Sequence, residues 1–176
     1  MALFARNGGK KLAKQKLLLV DGHALAFRAF YALPELNAPD GTPTNAVLGF
    51  VNMLLKVLND EKPTHVAVVF DAKGETFRHQ AYREYKAGRQ PAPDAFKVQL
   101  PLIKELVALL GLPVFEVEGV EADDVIASAA LRAASSGVEA SILTADKDLM
   151  QILAPGIQVI KPSKGVILKF TTPKPS

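Results

Sequence analysis

Cysteine and tryptophan are both absent from the 176 residues. Without cysteine there is no disulfide and no thiolate metal site, and a reducing compartment is the simplest expectation. No apolar run approaches the roughly 18 residues of a membrane span. The basic start, MALFARNGGKKLAKQK, has too short an apolar stretch for the core of a signal peptide. Neither G-x-x-x-x-G-K-[ST] nor G-x-G-x-x-G occurs, so the usual nucleotide cradles are missing. Asp146-Lys147-Asp148 does not continue as an EF-hand loop, and His23, His65 and His79 are scattered, with no Ser/His pair.

What is present is globular. Apolar residues make up 49% of the chain, enough for one core and against wholesale disorder. The net charge of +3 conceals a split: residues 1–16 carry five basic and no acidic residues, and residues 161–176 carry four and none. The body, 17–160, keeps 12 basic residues against all 18 acidic ones. A basic total hints at nucleic acid, but here the tails supply it, so the body is read locally.

Apolar runs at 17–21, 64–71, 112–119 and 141–146 read as strands buried on both faces, and two more, IQVIKP and VILKF, pair near the end. Residues 44–59 carry apolar positions 47, 50, 51, 54, 55 and 58, a helical stripe. Residues 95–110 carry another, interrupted by Pro101, which predicts a kink or two helices. An Ala-rich stretch, 122–135, reads as a helix stopped by Gly137. Alternating strands and helices predict an α/β fold with right-handed crossovers.

Asp21, Asp71 and Asp146 each close an apolar run. In a parallel sheet the carboxyl ends of strands share one edge, so the three converge if their strands are neighbours. Asp148 follows Asp146, and Glu121, Asp123 and Asp124 stand where the Ala-rich helix begins. Singly, each reads equally as a turn residue, a cap or a partner of the helix dipole. Together they form an oxygen-only donor set suited to Mg²⁺ or Mn²⁺. Two such ions bridged by a phosphate constitute a device for phosphodiester hydrolysis.

Residues 72–92 hold Lys73, Arg78, Arg83, Lys86 and Arg89 against Glu75 and Glu84, with Phe77, Tyr82 and Tyr85 interleaved. Such a segment either grips phosphates and stacks on bases or forms a solvated helix whose rings dock on the core. Its start directly after Asp71 favours the first reading. Arg28, a turn or so after Asp21, adds a further phosphate contact.

Four blocks carry a resemblance: LLLVDGHALAFRAFYALP, VVFDAKGETFRHQAYREYKAGR, IKELVALLGLPVFEVEGVEADDVIAS and ILTADKDLMQIL. From about residue 16 to about 162 they resemble, in order, the 5′-nuclease domain of bacterial DNA polymerase I, of the flap endonuclease group of PIN-like nucleases. The resemblance implies a three-layer α/β/α, resolvase-like core over 17–170, with a basic tail at 1–16, an arch at about 72–93 and a frayed end at 171–176. It implies a metal-dependent 5′–3′ exonuclease and 5′-flap endonuclease acting on DNA, with RNA as an alternative substrate, in the bacterial cytoplasm with the nucleoid and off the membrane. It implies Asp21, Asp71, Glu121, Asp123, Asp124, Asp146 and Asp148 as metal carboxylates for two Mg²⁺ or Mn²⁺ ions. Asp71, Asp146, Arg78 and Lys86 would be catalytic, and Arg28, Arg78, Tyr82, Lys86 and Arg89 would bind DNA.

The family's next acidic block, G-[DE]-x-[SA]-D-N, and its helix-hairpin-helix element do not occur in these 176 residues. The expectation is therefore a weakened second metal site and reduced activity. The alternatives are a catalytically impaired DNA-binding fragment and a PIN-type ribonuclease.

Overall fold

The computed structural model describes residues 14–72, 92–163 and 166–172. Among them, six strands form one sheet in the order β3-β2-β1-β4-β5-β6. These are β1 (Lys16–Asp21), β2 (His65–Asp71), β3 (Val114–Val117), β4 (Glu139–Leu143), β5 (Ile157–Ser163) and β6 (Val166–Thr171). The first five run parallel, and β6 returns antiparallel on β5. The β5–β6 pairing reaches Thr171, so the last strand extends one residue into the stretch expected to fray.

Alternation divides the core. Leu18, Val20, Val68 and Phe70 face one cluster with α1 (Gly22–Ala32), α2 (Asn45–Glu61) and α3 (Asp94–Leu109). Leu19, Val69, Ala140, Ile142 and Val159 face the other, with α4 (Ala122–Ser135). A sheet covered on both faces explains why the strands read as continuous apolar runs. The result is the expected α/β/α layering.

Two local features differ from expectation or escaped it. The stretch 95–110 is one helix, α3, despite Pro101. Pro101 and Lys97, whose carbonyl loses its i+4 donor, both lie on the solvent side, where that carbonyl is open to water rather than buried unsatisfied. Thr44 gives α2 no side-chain cap. The buried Gln99 of α3 does so instead, its Oε1 accepting from Ala46 N (2.7 Å) and Val47 N (3.2 Å). Its Nε2 donates to Asn45 Oδ1 at 2.8 Å, and Asn45 Nδ2 donates to Phe30 O at 2.9 Å, tying α3 to α2 and α1. Gly137 ends α4 as expected, with a φ of 76° that a side chain would strain.

Candidate metal centre at the carboxyl edge of the sheet

Because β2, β1 and β4 are neighbours, Asp71, Asp21 and Asp146 stand at one edge. Strand parity decides which face they serve. Asp21 and Asp71 share the side of Leu19 and Val69, which is the α4 face. There the first turn of α4 presents Asp123 and Asp124 after Glu121. Glu121 does not cap α4 with its side chain. Asp71 does, its Oδ1 accepting from Ala122 N at 2.8 Å.

Asp21 is only 3% exposed. Its Oδ1 accepts from Ala24 N at 3.4 Å, capping α1, and its Oδ2 accepts from Thr144 Oγ1 at 2.9 Å. Thr144 also accepts from Asp146 N at 3.0 Å, and Asp146 Oδ1 accepts from Asp148 N at 2.9 Å. Asp148 lies in the first turn of a 3-10 helix, Lys147–Ile152, capped by Asp146, and is exposed.

Close behind the acids, a Cβ on Gly22 would fall 2.4 Å from the Phe70 ring. Phe70 is itself buried and stacked on Phe50. A glycine there lets the ends of β1 and β2 approach.

The like charges act on one another. Burial, chiefly, raises Asp21 to about 6 against its hydrogen bond from Thr144, with Asp71 and Asp146 adding repulsion. Burial, then Asp21, Asp146, Asp71 and Glu121, raise Asp123 to about 7. Among the described residues no three His, Cys, Asp or Glu side chains close tightly enough to enclose an ion. They stand apart, as like charges do, yet near enough for five carboxylates to repel. Hard oxygen donors that hold protons well above the carboxylate norm fit a divalent cation, which would displace those protons.

The expected carboxylates are placed at this edge, where Asp71 and Asp146 act on Asp21, and Asp21, Asp146, Asp71 and Glu121 act on Asp123. Asp124 and Asp148 flank them. Arg28 lies in the second turn of α1, half-buried. Arg78, Tyr82, Lys86 and Arg89, and with them nearly all of the arch, lie outside the described residues, as does most of the basic tail. The described residues that flank the segment expected to form an arch lie near this edge: one side leaves Asp71, and the other enters α3, where Phe96 meets His23 of α1 edge-on at 5.6 Å. Thr144 was missed. It stands in the run SILTAD, but its partner lies 123 residues away.

A mostly parallel sheet covered on both faces, with acids at its carboxyl edge, is an α/β architecture consistent with a resolvase-like domain. The chain belongs to the family described as 5′-3′ exonuclease, N-terminal resolvase-like domain, whose sequence model matches residues 16–174. It is 56% identical over 149 residues to the thermostable DNA polymerase I of Thermus aquaticus, covering 85% of this chain and 18% of that protein. To DNA polymerase I of Bacillus caldotenax it is 46% identical over 153 residues, covering 87% and 17%. The chain thus spans less than a fifth of these curated relatives.

In fold it is similar to the T5 D15 protein co-crystallised with metal ions, with a TM-score of 0.67 and 21% identity, covering 87% of this chain and 57% of that one. It is also similar to the catalytic core of Rad2 in complex with DNA substrate, with a TM-score of 0.52 and 18% identity, covering 90% and 48%. No helix among the described residues is long and apolar enough to cross a membrane.

Proposed function

We propose that this chain is a divalent-metal-dependent 5′ nuclease, a 5′–3′ exonuclease and 5′-flap endonuclease that hydrolyses DNA phosphodiester bonds. The observation that carries this reading is the edge itself. Three neighbouring strands and one helix start direct carboxylates to one place, and two of those carboxyls hold protons to about pH 6 and 7. Burial chiefly, and then mutual repulsion, disfavours these charges, and a bound cation would offset both. Membership of a 5′-3′ exonuclease family supplies the chemistry such a centre serves.

Mg²⁺ or Mn²⁺, two ions in the family's pattern, supply Lewis acidity toward the phosphate when bound. Asp21, Asp71, Glu121, Asp123, Asp124, Asp146 and Asp148 hold and orient them. Asp71 and Asp146 would be the carboxylates on which turnover depends most directly. Arg78 and Lys86 offset charge on the phosphate oxygens, while Arg28 and Arg89 grip the backbone and Tyr82 stacks on a base. The substrate is DNA with a 5′ end or flap, met in the bacterial cytoplasm with the nucleoid.

The test is cleavage of a 5′-labelled flap by the purified chain in Mg²⁺ and in Mn²⁺, beside Asp146→Ala. Cutting near the junction that needs the metal and disappears in the variant supports the proposal. A folded chain that cuts nothing, or a variant that cuts as well as the parent, overturns it. An RNA flap cut in preference to the DNA flap would move the assignment to a ribonuclease.

A further inference from the structure

We propose that Thr144 is a positioning residue that joins the β1 and β4 halves of the acidic edge, so that Asp21 and Asp146 take up a cation together. The inference rests on the metal-centre reading above and adds to it a residue that is not itself a ligand.

A hydroxyl has one proton and two lone pairs. The Thr144 hydroxyl is committed on both counts. Its proton goes to Asp21 Oδ2 at 2.9 Å, and a lone pair receives Asp146 N at 3.0 Å. The residue is 1% exposed, so water does not compete for either bond. Its own N–H donates to Ile160 O at 3.1 Å, which fixes the backbone of Thr144 against β5. The hydroxyl is therefore held at a set place between two strand ends.

Both bonds act on the acids directly. Among the described residues Asp21 has one other donor, Ala24 N, at the longer distance of 3.4 Å, so Thr144 is the stronger restraint on its carboxylate. Asp146 is restrained through its backbone, and its carboxylate in turn receives Asp148 N at 2.9 Å. One chain of hydrogen bonds thus runs from Asp21 through Thr144 and Asp146 to Asp148. Partners of this kind, one bond behind the ligands, typically control metal affinity by 10–100-fold.

Two pairs of variants isolate the hydroxyl. Thr144 and Thr144→Val share a shape, and Thr144→Ser and Thr144→Ala differ only in the oxygen. Calorimetric titration with Mn²⁺ alone, in the absence of DNA, reads the effect, with Asp146→Ala as a control and thermal melting as a check on folding. The expected result is a loss of Mn²⁺ affinity of about tenfold within each pair, with Thr144→Ser close to the parent. If Thr144→Val does not fold, the Ser and Ala pair carries the comparison alone.

Equal Mn²⁺ affinity for the Ser and Ala variants overturns the inference while leaving the metal centre standing. So does a loss confined to Thr144→Val, which would be steric. A parent chain that binds Mn²⁺ no better than Asp146→Ala overturns the metal-centre reading and the inference with it.

Discussion

The two ends of the sheet each bury a carboxylate and treat it in opposite ways. At the amino end Glu61 is 6% exposed and is surrounded by compensation. Its Oε1 has no hydrogen-bond donor of good geometry, but Lys169 Nζ ion-pairs with it. Oε2 accepts from Gln158 Nε2 at 2.9 Å and lies 3.8 Å from Lys16 Nζ. Lys16 also donates to the Glu61 carbonyl at 2.9 Å. These residues line a cavity of about 500 Å³ at that end. At the carboxyl end Asp21 is as deeply buried, but among the described residues its charged neighbours are the acids Asp71, Asp123 and Asp146. At the amino end the fold itself supplies the opposite charge; at the carboxyl end the described neighbours are acids, and on the proposed function a bound cation would supply it.

The largest effect that could break this contrast is on catalysis. Asp146→Ala and Asp71→Ala should each lower flap cleavage by roughly a thousandfold while the protein stays folded. Asp71→Ala should also cost about 1 kcal/mol, since it removes the cap on Ala122 N. Cleavage assays beside chemical denaturation separate the two effects.

The structural end should respond in the opposite sense. Glu61→Ala should destabilise the fold by about 2 kcal/mol, because hydrogen bonds and ion pairs to a charged group are lost together. It should leave Mn²⁺ affinity unchanged. A denaturation midpoint equal to the parent's would show that Lys16 and Lys169 contribute nothing there. Gly22→Ala should cost a similar 1–3 kcal/mol by overpacking against Phe70, and it should weaken metal binding too, because it prises β1 from β2 beside the acids.

The smallest effect is the pH dependence. Asp21 and Asp123 bind protons more tightly folded than unfolded. Their contribution to stability is therefore full below about pH 4 and is lost as pH rises through about 6 and 7. In chelator, Asp123→Asn should melt with the parent near pH 4 and become the more stable of the two by pH 8. The gap should be about 1 kcal/mol once the partial exposure of Asp123 is discounted. A gap that does not grow with pH would mean that neither burial nor its acidic neighbours disfavour the Asp123 carboxylate.

These ends also differ in how far the sequence reveals them. Asp21, Asp71 and Asp146 were legible because each closes an apolar run, and parallel strands bring such ends to one edge. Asp123 and Asp124 were legible because they open an Ala-rich helix. The amino end was not. Glu61 ends α2, and nothing local marks Lys16, Gln158 and Lys169 as its partners, since sheet order alone unites them. Thr144 and Gln99 were hidden for the same reason: each acts through a hydrogen bond to a residue far along the chain. Pro101 suggested a kink or two helices, and the stretch is one helix because the lost bond falls on its solvent side. Family likeness, by contrast, was carried by runs of residues and did not depend on knowing which strands pair.

The most direct measurement is the melting temperature at pH 8 of the parent chain, Glu61→Gln and Asp146→Ala, each with chelator and with Mn²⁺. A ligand that binds the native state stabilises it in proportion to its affinity. Mn²⁺ should raise the melting temperature of the parent and of Glu61→Gln by similar amounts and leave Asp146→Ala nearly unmoved. An equal rise in all three, or none in the parent, would contradict the assignment of a cation to the carboxyl edge.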